Sequence, residues 1–155
     1  MTTRTTTRRS LLATAVAVPV AAVAAPLLTA APAAAAAQSG AETLVGWTDI
    51  VLAAGVTAGA NEHPQARVIS IADTEYLQLR GLISCDFAVD SQLGTLPATI
   101  RPPKMTRGVC PRNNNLGINS TRVEADTSGR VMVYGPQAAN KVTWVQLDNF
   151  SSVLR

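Results

Sequence analysis

Residues 93–103, Leu-Gly-Thr-Leu-Pro-Ala-Thr-Ile-Arg-Pro-Pro, constrain the chain more than any other stretch. Three prolines and a glycine exclude a helix and a central strand, because proline lacks the N–H that both ladders need. Each X-Pro step also drives the preceding residue to extended backbone. The stretch is therefore expected to be a stiff crossover that carries the chain from one sheet to the other, anchored by Leu93, Leu96 and Ile100.

Strand-like sequence lies on both sides of it. Residues 67–71 read as a strand with Ile69 and Ile71 on one face, and residues 72–75 as a turn. Residues 76–80, Tyr-Leu-Gln-Leu-Arg, alternate cleanly, with Leu77 and Leu79 inward and Gln78 and Arg80 outward. The two make a hairpin. Gly81 marks a bulge or a close backbone approach, and residues 82–87 continue extended. Residues 44–52 hold Trp47, Ile50 and Leu52, too few for periodicity to separate a strand from one helical turn. Residues 56–65 are turn-rich. Beyond the crossover, residues 105–110 form a strand and residues 111–115, Pro-Arg-Asn-Asn-Asn, a loop. Residues 119–126 alternate Val123 and Ala125 against Arg122, Glu124 and Asp126, and residues 130–134 return after a turn. Segments 141–147 and 150–154 bring the count to seven or eight short strands, with no helix after the N-terminal segment. The class is all-β: an antiparallel β-sandwich of jelly-roll or C1q-like type.

The N-terminal segment is different. Residues 1–10 are rich in Thr and Arg, and residues 11–37 are almost wholly Ala, Val, Leu and Pro. A basic start, an apolar run and a small-residue end make a secretory signal. Arg8-Arg9, followed by Ser10-Leu11-Leu12, fits the twin-arginine type. The cut is placed near residues 35–37. The competing reading is an uncleaved anchor, since about 20 apolar residues span a bilayer, but Pro19, Pro26 and Pro32 interrupt the run. The chain divides into a signal at 1–37, a linker at 38–43 and a β-sandwich at 44–155. The product is secreted, touching membrane only through the signal before cleavage.

Removing the signal changes the charge argument. The chain holds 13 Lys+Arg against 10 Asp+Glu. Three of the basic residues, Arg4, Arg8 and Arg9, fall in the signal, leaving 10 against 10. The domain is near neutral and carries no nucleic-acid footprint. Its two cysteines, Cys85 and Cys110, are expected to pair in an exported domain, stabilising it by roughly 3 kcal/mol in the chain-entropy model. Two buried free thiols are the alternative. A twin-arginine substrate folds in a reducing cytosol, so the fold should tolerate an open bridge.

Chemistry is sparse. The sole histidine, His63, lies beside Pro64, and two cysteines with it make no metal set. No G-x-S-x-G elbow, P-loop or dinucleotide fingerprint occurs. Asp86 with Asp90, and Glu124 with Asp126, read as solvated faces rather than acids meeting across a cleft. Trp47 and Trp144 read as core aromatics, with a sugar platform or subunit contact as the sharper role. Tyr76 and Tyr134, at strand ends, are the better candidates for exposure.

Five stretches, Trp47 to Gly55, Pro64 to Val68, Tyr76 to Gly81, Leu93 to Pro102 and Trp144 to Phe150, taken in that order resemble a family of phage tail-fibre and baseplate receptor-binding head domains. Residues 47–55, from Trp47 to Gly55, are similar to the family's W-x-x-L-x-L-x-x-G opening. Residues 64–68, from Pro64 to Val68, resemble its P-x-Y-R stretch, with Ala66 where the family has tyrosine. Residues 76–81 resemble its V-x-L-R-G strand, 93–102 its A-T-L-P-x-G-Y-R-P connection with Thr99 for the glycine, and 144–150 its closing W-V-S-L-D-G-I. The resemblance implies a β-sandwich head, commonly trimeric, that binds cell-surface saccharide without catalysis and without a cofactor. The expected function is a secreted, non-enzymatic adhesion module for a glycan or cell-wall polymer. Tyr76, Tyr134, Arg101 and Arg112 are the expected ligand contacts, while Trp47, Arg67, Arg80, Leu96, Pro97, Trp144 and again Arg101 are expected to build the fold. A structural protein of the envelope and, third, a hydrolase are the other readings.

Overall fold

The computed structural model describes residues 40–155; the export signal expected at 1–37 lies outside them. The described chain is all β. Its strands are Glu42–Asp49 (β1), Val51–Leu52 (β2), Thr57–Ala58 (β3), Gln65–Ile71 (β4), Thr74–Arg80 (β5), Leu82–Phe87 (β6), Ser91–Thr95 (β7), Thr106–Asn115 (β8), Ile118–Ala125 (β9), Arg130–Tyr134 (β10), Val142–Gln146 (β11) and Ser151–Val153 (β12). They form two antiparallel sheets, β1-β4-β5-β12 and β2-β7-β10-β9-β8-β11-β6-β3.

Turn chemistry sets the hairpins. Ala72 and Asp73 both take positive φ, 47° and 62°, the two-residue geometry whose twist matches that of the flanking strands. It closes β4 on β5 with Ile71 opposite Thr74. Leu116 and Gly117, φ 53° and 78°, do the same for β8 and β9. Between β9 and β10, Asp126 Oδ1 accepts from the N–H of Ser128 and of Arg130, at 2.9 Å each.

Alternation then sorts the faces. Ala66, Val68, Leu77 and Leu79 point from the small sheet into a core completed by Ile83, Leu93, Val123, Val131, Val133 and Val145 of the large one. Each is nearly or wholly buried, and burying a Val, Leu or Ile side chain is worth about 1.5–3 kcal/mol. The two layers are thus one β-sandwich.

Three expectations need correction. The proline stretch does not carry the chain between sheets. Residues 91–95 are themselves strand β7, and β7 and β8 belong to the same sheet, with β10 and β9 between them. Residues 96–105 bridge β7 and β8 in a Greek-key connection. Its anchors hold, Leu93, Leu96 and Ile100 being at most 2% exposed. One true crossing lies at Gly81, where the chain leaves β5 of the small sheet and enters β6 of the large one. Gly81 has φ 99°, and a Cβ there would stand 2.5 Å from the His63 carbonyl oxygen.

Second, residues 111–115 are strand, not loop: β8 runs through Pro111, which faces Ser120 beside a register shift. A proline is tolerated next to such an irregularity because the ladder is already broken. Third, the thiols are free. Cys85 is on β6 and Cys110 on β8, with β11 between. One intervening strand separates their Cα atoms by about 10 Å or more, past the reach of a disulfide. Burial, with a smaller push from Asp86, raises Cys85 to about 11 despite Arg112 nearby. Burial, then Asp148, raises Cys110 to about 12. Both are inert thiols at neutral pH.

Candidate functional site

The outer face of the small sheet carries the densest set of recognition groups. Alternation turns Gln65 and Arg67 of β4, and Tyr76, Gln78 and Arg80 of β5, away from the core. Register pairs Arg67 with Gln78, and Gln65 with Arg80. Arg67 Nε donates to Gln78 Oε1 at 2.8 Å, and Arg80 Nε to Gln65 Oε1 at 2.9 Å. Gln65 Nε2 passes the chain on to Asp49 Oδ1 at 2.8 Å. Each guanidinium is therefore oriented by a neutral amide, not by a carboxylate.

Trp47 completes the group. β1 pairs with β4 through two register shifts, on either side of Val45. The second lets Trp47 lie across the outer face. The guanidinium carbons of Arg67 and Arg80 lie 4.5 and 4.3 Å from its ring centroid. Such contacts are worth about 0.5–1 kcal/mol each at exposed sites. Trp47, Arg67 and Tyr76 are half-buried and Arg80 is exposed.

Beside Arg80 the surface opens into a cleft of about 750 Å³ that includes Glu62, His63, Gly81, Gln146 and Asp148 in its walls. Arg80 and Asp148 also border the groove that runs to Trp47. Asp148 Oδ1 accepts from the Gly81 N–H at 2.8 Å. Gln146 Nε2 donates to Glu62 Oε2 at 3.0 Å and to Asp148 Oδ2. The sheet crossing at Gly81 is what sets the cleft next to the Trp47 face. Chemically, the whole surface can stack an apolar ring face, donate from two guanidiniums and accept at two carboxylates. Among the described residues no group of three or more His, Cys, Asp and Glu is arranged to hold a metal ion.

The four residues expected to touch ligand are not brought together. Tyr76 lies on the small-sheet face, one ladder step from Gln78. Tyr134 is on β10 of the large sheet, its ring 4.6 Å from the Arg122 guanidinium. Arg101 is exposed, but its Nη1 donates to the carbonyls of Leu96, Pro97 and Ile100 at 3.0–3.3 Å, pinning the proline connection. Arg112 is 2% exposed. Its guanidinium donates to Lys141 O (2.6 Å), Asn140 Oδ1 (2.8 Å) and Asn113 O (3.2 Å), so it braces the β8–β11 neighbourhood. Of the expected acid pairs, Asp86 and Asp90 are exposed as a solvated face requires, but Glu124 with Asp126 is not such a face. Glu124 is 5% exposed, held by Arg107 at 2.7 Å and Arg122 at 3.2 Å. The signal for the true cluster was present in part: the outward parity of Gln78 and Arg80 was readable. Its convergence on Trp47 needed the two shifts in β1.

The chain matches no protein-family model and no curated protein. Its fold is similar to that of the receptor binding protein gp15 of Listeria phage PSA, with a TM-score of 0.51 and 15% identity over 76% of this chain and 67% of that one. The receptor-binding head domain of lactococcal phage bIL170 gives a TM-score of 0.49 and 21% identity over 72% of this chain and 99% of that one. At 15% identity the first likeness is one of fold, and it is the fold that the ordered sequence motifs implied.

Proposed function

We propose that the chain is an exported, non-enzymatic binding module that grips a cell-surface glycan or cell-wall polymer through the outer face of its small sheet. The observation that carries the reading is the Arg67–Trp47–Arg80 group on the outer sheet face, half-buried at Arg67 and Trp47 and exposed at Arg80, with Tyr76 on the same face. An aromatic surface takes the apolar face of a sugar ring, and preoriented guanidiniums donate to its oxygens. Because the two Gln amides already hold Arg67 and Arg80 in place, little side-chain freedom is lost on binding. In this reading Glu62, His63 and Asp148 extend the contact along the cleft. Export through residues 1–37 and a trimeric assembly belong to the same proposal.

A glycan array probed with the full chain and with Trp47→Ala tests it. We expect discrete hits that vanish in the variant. An array with no hits, alongside flat binding to whole cell walls, removes the proposal. Release of reducing ends from any hit, lost in Glu62→Gln, replaces binding with hydrolysis.

A further inference from the structure

We infer a second, uncharged saccharide subsite on the opposite face of the molecule, built on Trp144. It stands on observations separate from the Trp47 face. Trp144 sits on β11 opposite Ser84 of β6, and a register shift between Val142 and Trp144 leaves both Thr143 and Trp144 exposed. Trp144 borders two shallow grooves. One, of about 290 Å³, runs along Leu82 and Ser84. The other, of about 390 Å³, is bordered by Val109, Asn119 and Asn149. Trp144 is 36% and Val109 65% exposed, and the side chains of Asn119 and Asn149 are open to solvent.

The chemistry of this lining selects its ligand. Aromatic and aliphatic surface is bordered by hydroxyl and amide groups, the pattern of a small-molecule site with a few orienting polar groups. The charged group in either lining is Arg112, which is buried and committed to backbone and amide oxygens. An anionic or cationic ligand would lose water here and gain no counter-charge. A neutral pyranose fits: its C–H face lies on the indole and its hydroxyls meet Asn119, Asn149 and Ser84. The Trp47 face, with two guanidiniums over its ring, is a charged site by comparison.

The chain contains two tryptophans, so each can be watched alone. In the full chain carrying Trp47→Phe, Trp144 is the sole indole; in Trp144→Phe, Trp47 is. Both are titrated with maltotriose, cellotriose, chitotriose and mannotriose. We expect a saturable change in Trp144 emission with one of these sugars, insensitive to salt between about 0.05 and 0.5 M. Adding Asn119→Ala and Asn149→Ala should weaken it about tenfold. Absence of a saturable Trp144 response to all four overturns the subsite. A response seen through Trp47 alone overturns it too, while leaving the proposed function standing. Light scattering closes the remaining route: self-association that shields Trp144 and is abolished by Trp144→Ala would make this face a contact between copies and dispose of the subsite.

Discussion

The two tryptophans lie on opposite sheets, both displaced by register shifts, yet their surroundings differ. Trp47 is half-buried and stacked against the guanidiniums of Arg67 and Arg80. Trp144 is more open and borders neutral groups. The difference follows from the cross-strand neighbours. On the small sheet, two Arg–Gln pairs occupy the positions beside the indole. On the large sheet, the residue opposite is Ser84, too short to cover it. An exposed aromatic therefore takes its chemistry from the strand next door, not from its own segment.

The largest test asks whether the two faces belong to one cooperative body. The chain passes between their sheets four times, and one of these passages is at Gly81, where φ is 99° and a Cβ would meet the His63 carbonyl. Gly81→Val should cost about 3 kcal/mol or more, through backbone strain and the clash, read as a lower urea midpoint. With Gly81 in place, the one tryptophan left in Trp47→Phe or in Trp144→Phe should lose its native emission at the same midpoint as that protein's far-ultraviolet signal. Separate midpoints would break the comparison into two independent layers.

Next in size, Arg112→Met strips a buried donor from the oxygens of Asn113, Asn140 and Lys141. Each orphaned acceptor costs about 1–3 kcal/mol if water cannot reach it, so a loss of about 2 kcal/mol is expected in chemical denaturation. Sugar binding at the Trp47 face should be untouched. Glycan binding lost in an otherwise folded Arg112→Met protein would restore this residue as a contact.

Smaller again is the tryptophan pair itself. Trp47→Ala should cost about 1–2 kcal/mol, since two cation–π contacts go with the ring, and Trp144→Ala less. A double-mutant cycle of Trp47→Ala with Arg67→Ala should return a coupling of about 0.5–1 kcal/mol. Zero coupling would reduce the stack to mere proximity.

The smallest effect is acid-linked. Burial alone would raise the Asp126 carboxyl, but hydrogen bonds from Ser128 and Arg130 and the Arg130 charge lower it from 3.8 to about 2. A depressed carboxyl stabilises above its unfolded value, and that contribution is lost as pH falls from about 4 to about 2. Partly exposed and screened by salt, it amounts to under about 1 kcal/mol. Asp126→Asn should flatten the acid limb of a stability–pH curve; an unchanged limb rejects the assignment.

Some of this was legible in the chain and some was not. Leu77 and Leu79 against Gln78 and Arg80 is a period-two pattern that needs no neighbours to be read, and it fixed the inward and outward faces of β5. Gly81 was readable as a close approach, because only a glycine tolerates one. Strand β7 was hidden by Gly94 and Pro97: Gly94 faces Val51 O, where a Cβ would sit 2.6 Å away, a tertiary reason invisible in sequence. Arg112 looks like a surface cation in an Asn-rich stretch. Its burial depends on residues 140–141, some 28 positions away, folding back over it. The Trp47 cluster depends on the irregular pairing of β1, and irregular register leaves no periodic trace.

The most direct measurement of the central claim is side-by-side binding of the full chain, Trp47→Ala and Arg67→Ala/Arg80→Ala to immobilised bacterial-envelope polysaccharide. We expect both variants to bind at least about tenfold more weakly while keeping an unfolding free energy, from urea denaturation, within about 2 kcal/mol of the parent's. Folded variants that bind as well as the parent would contradict the assignment of recognition to this face.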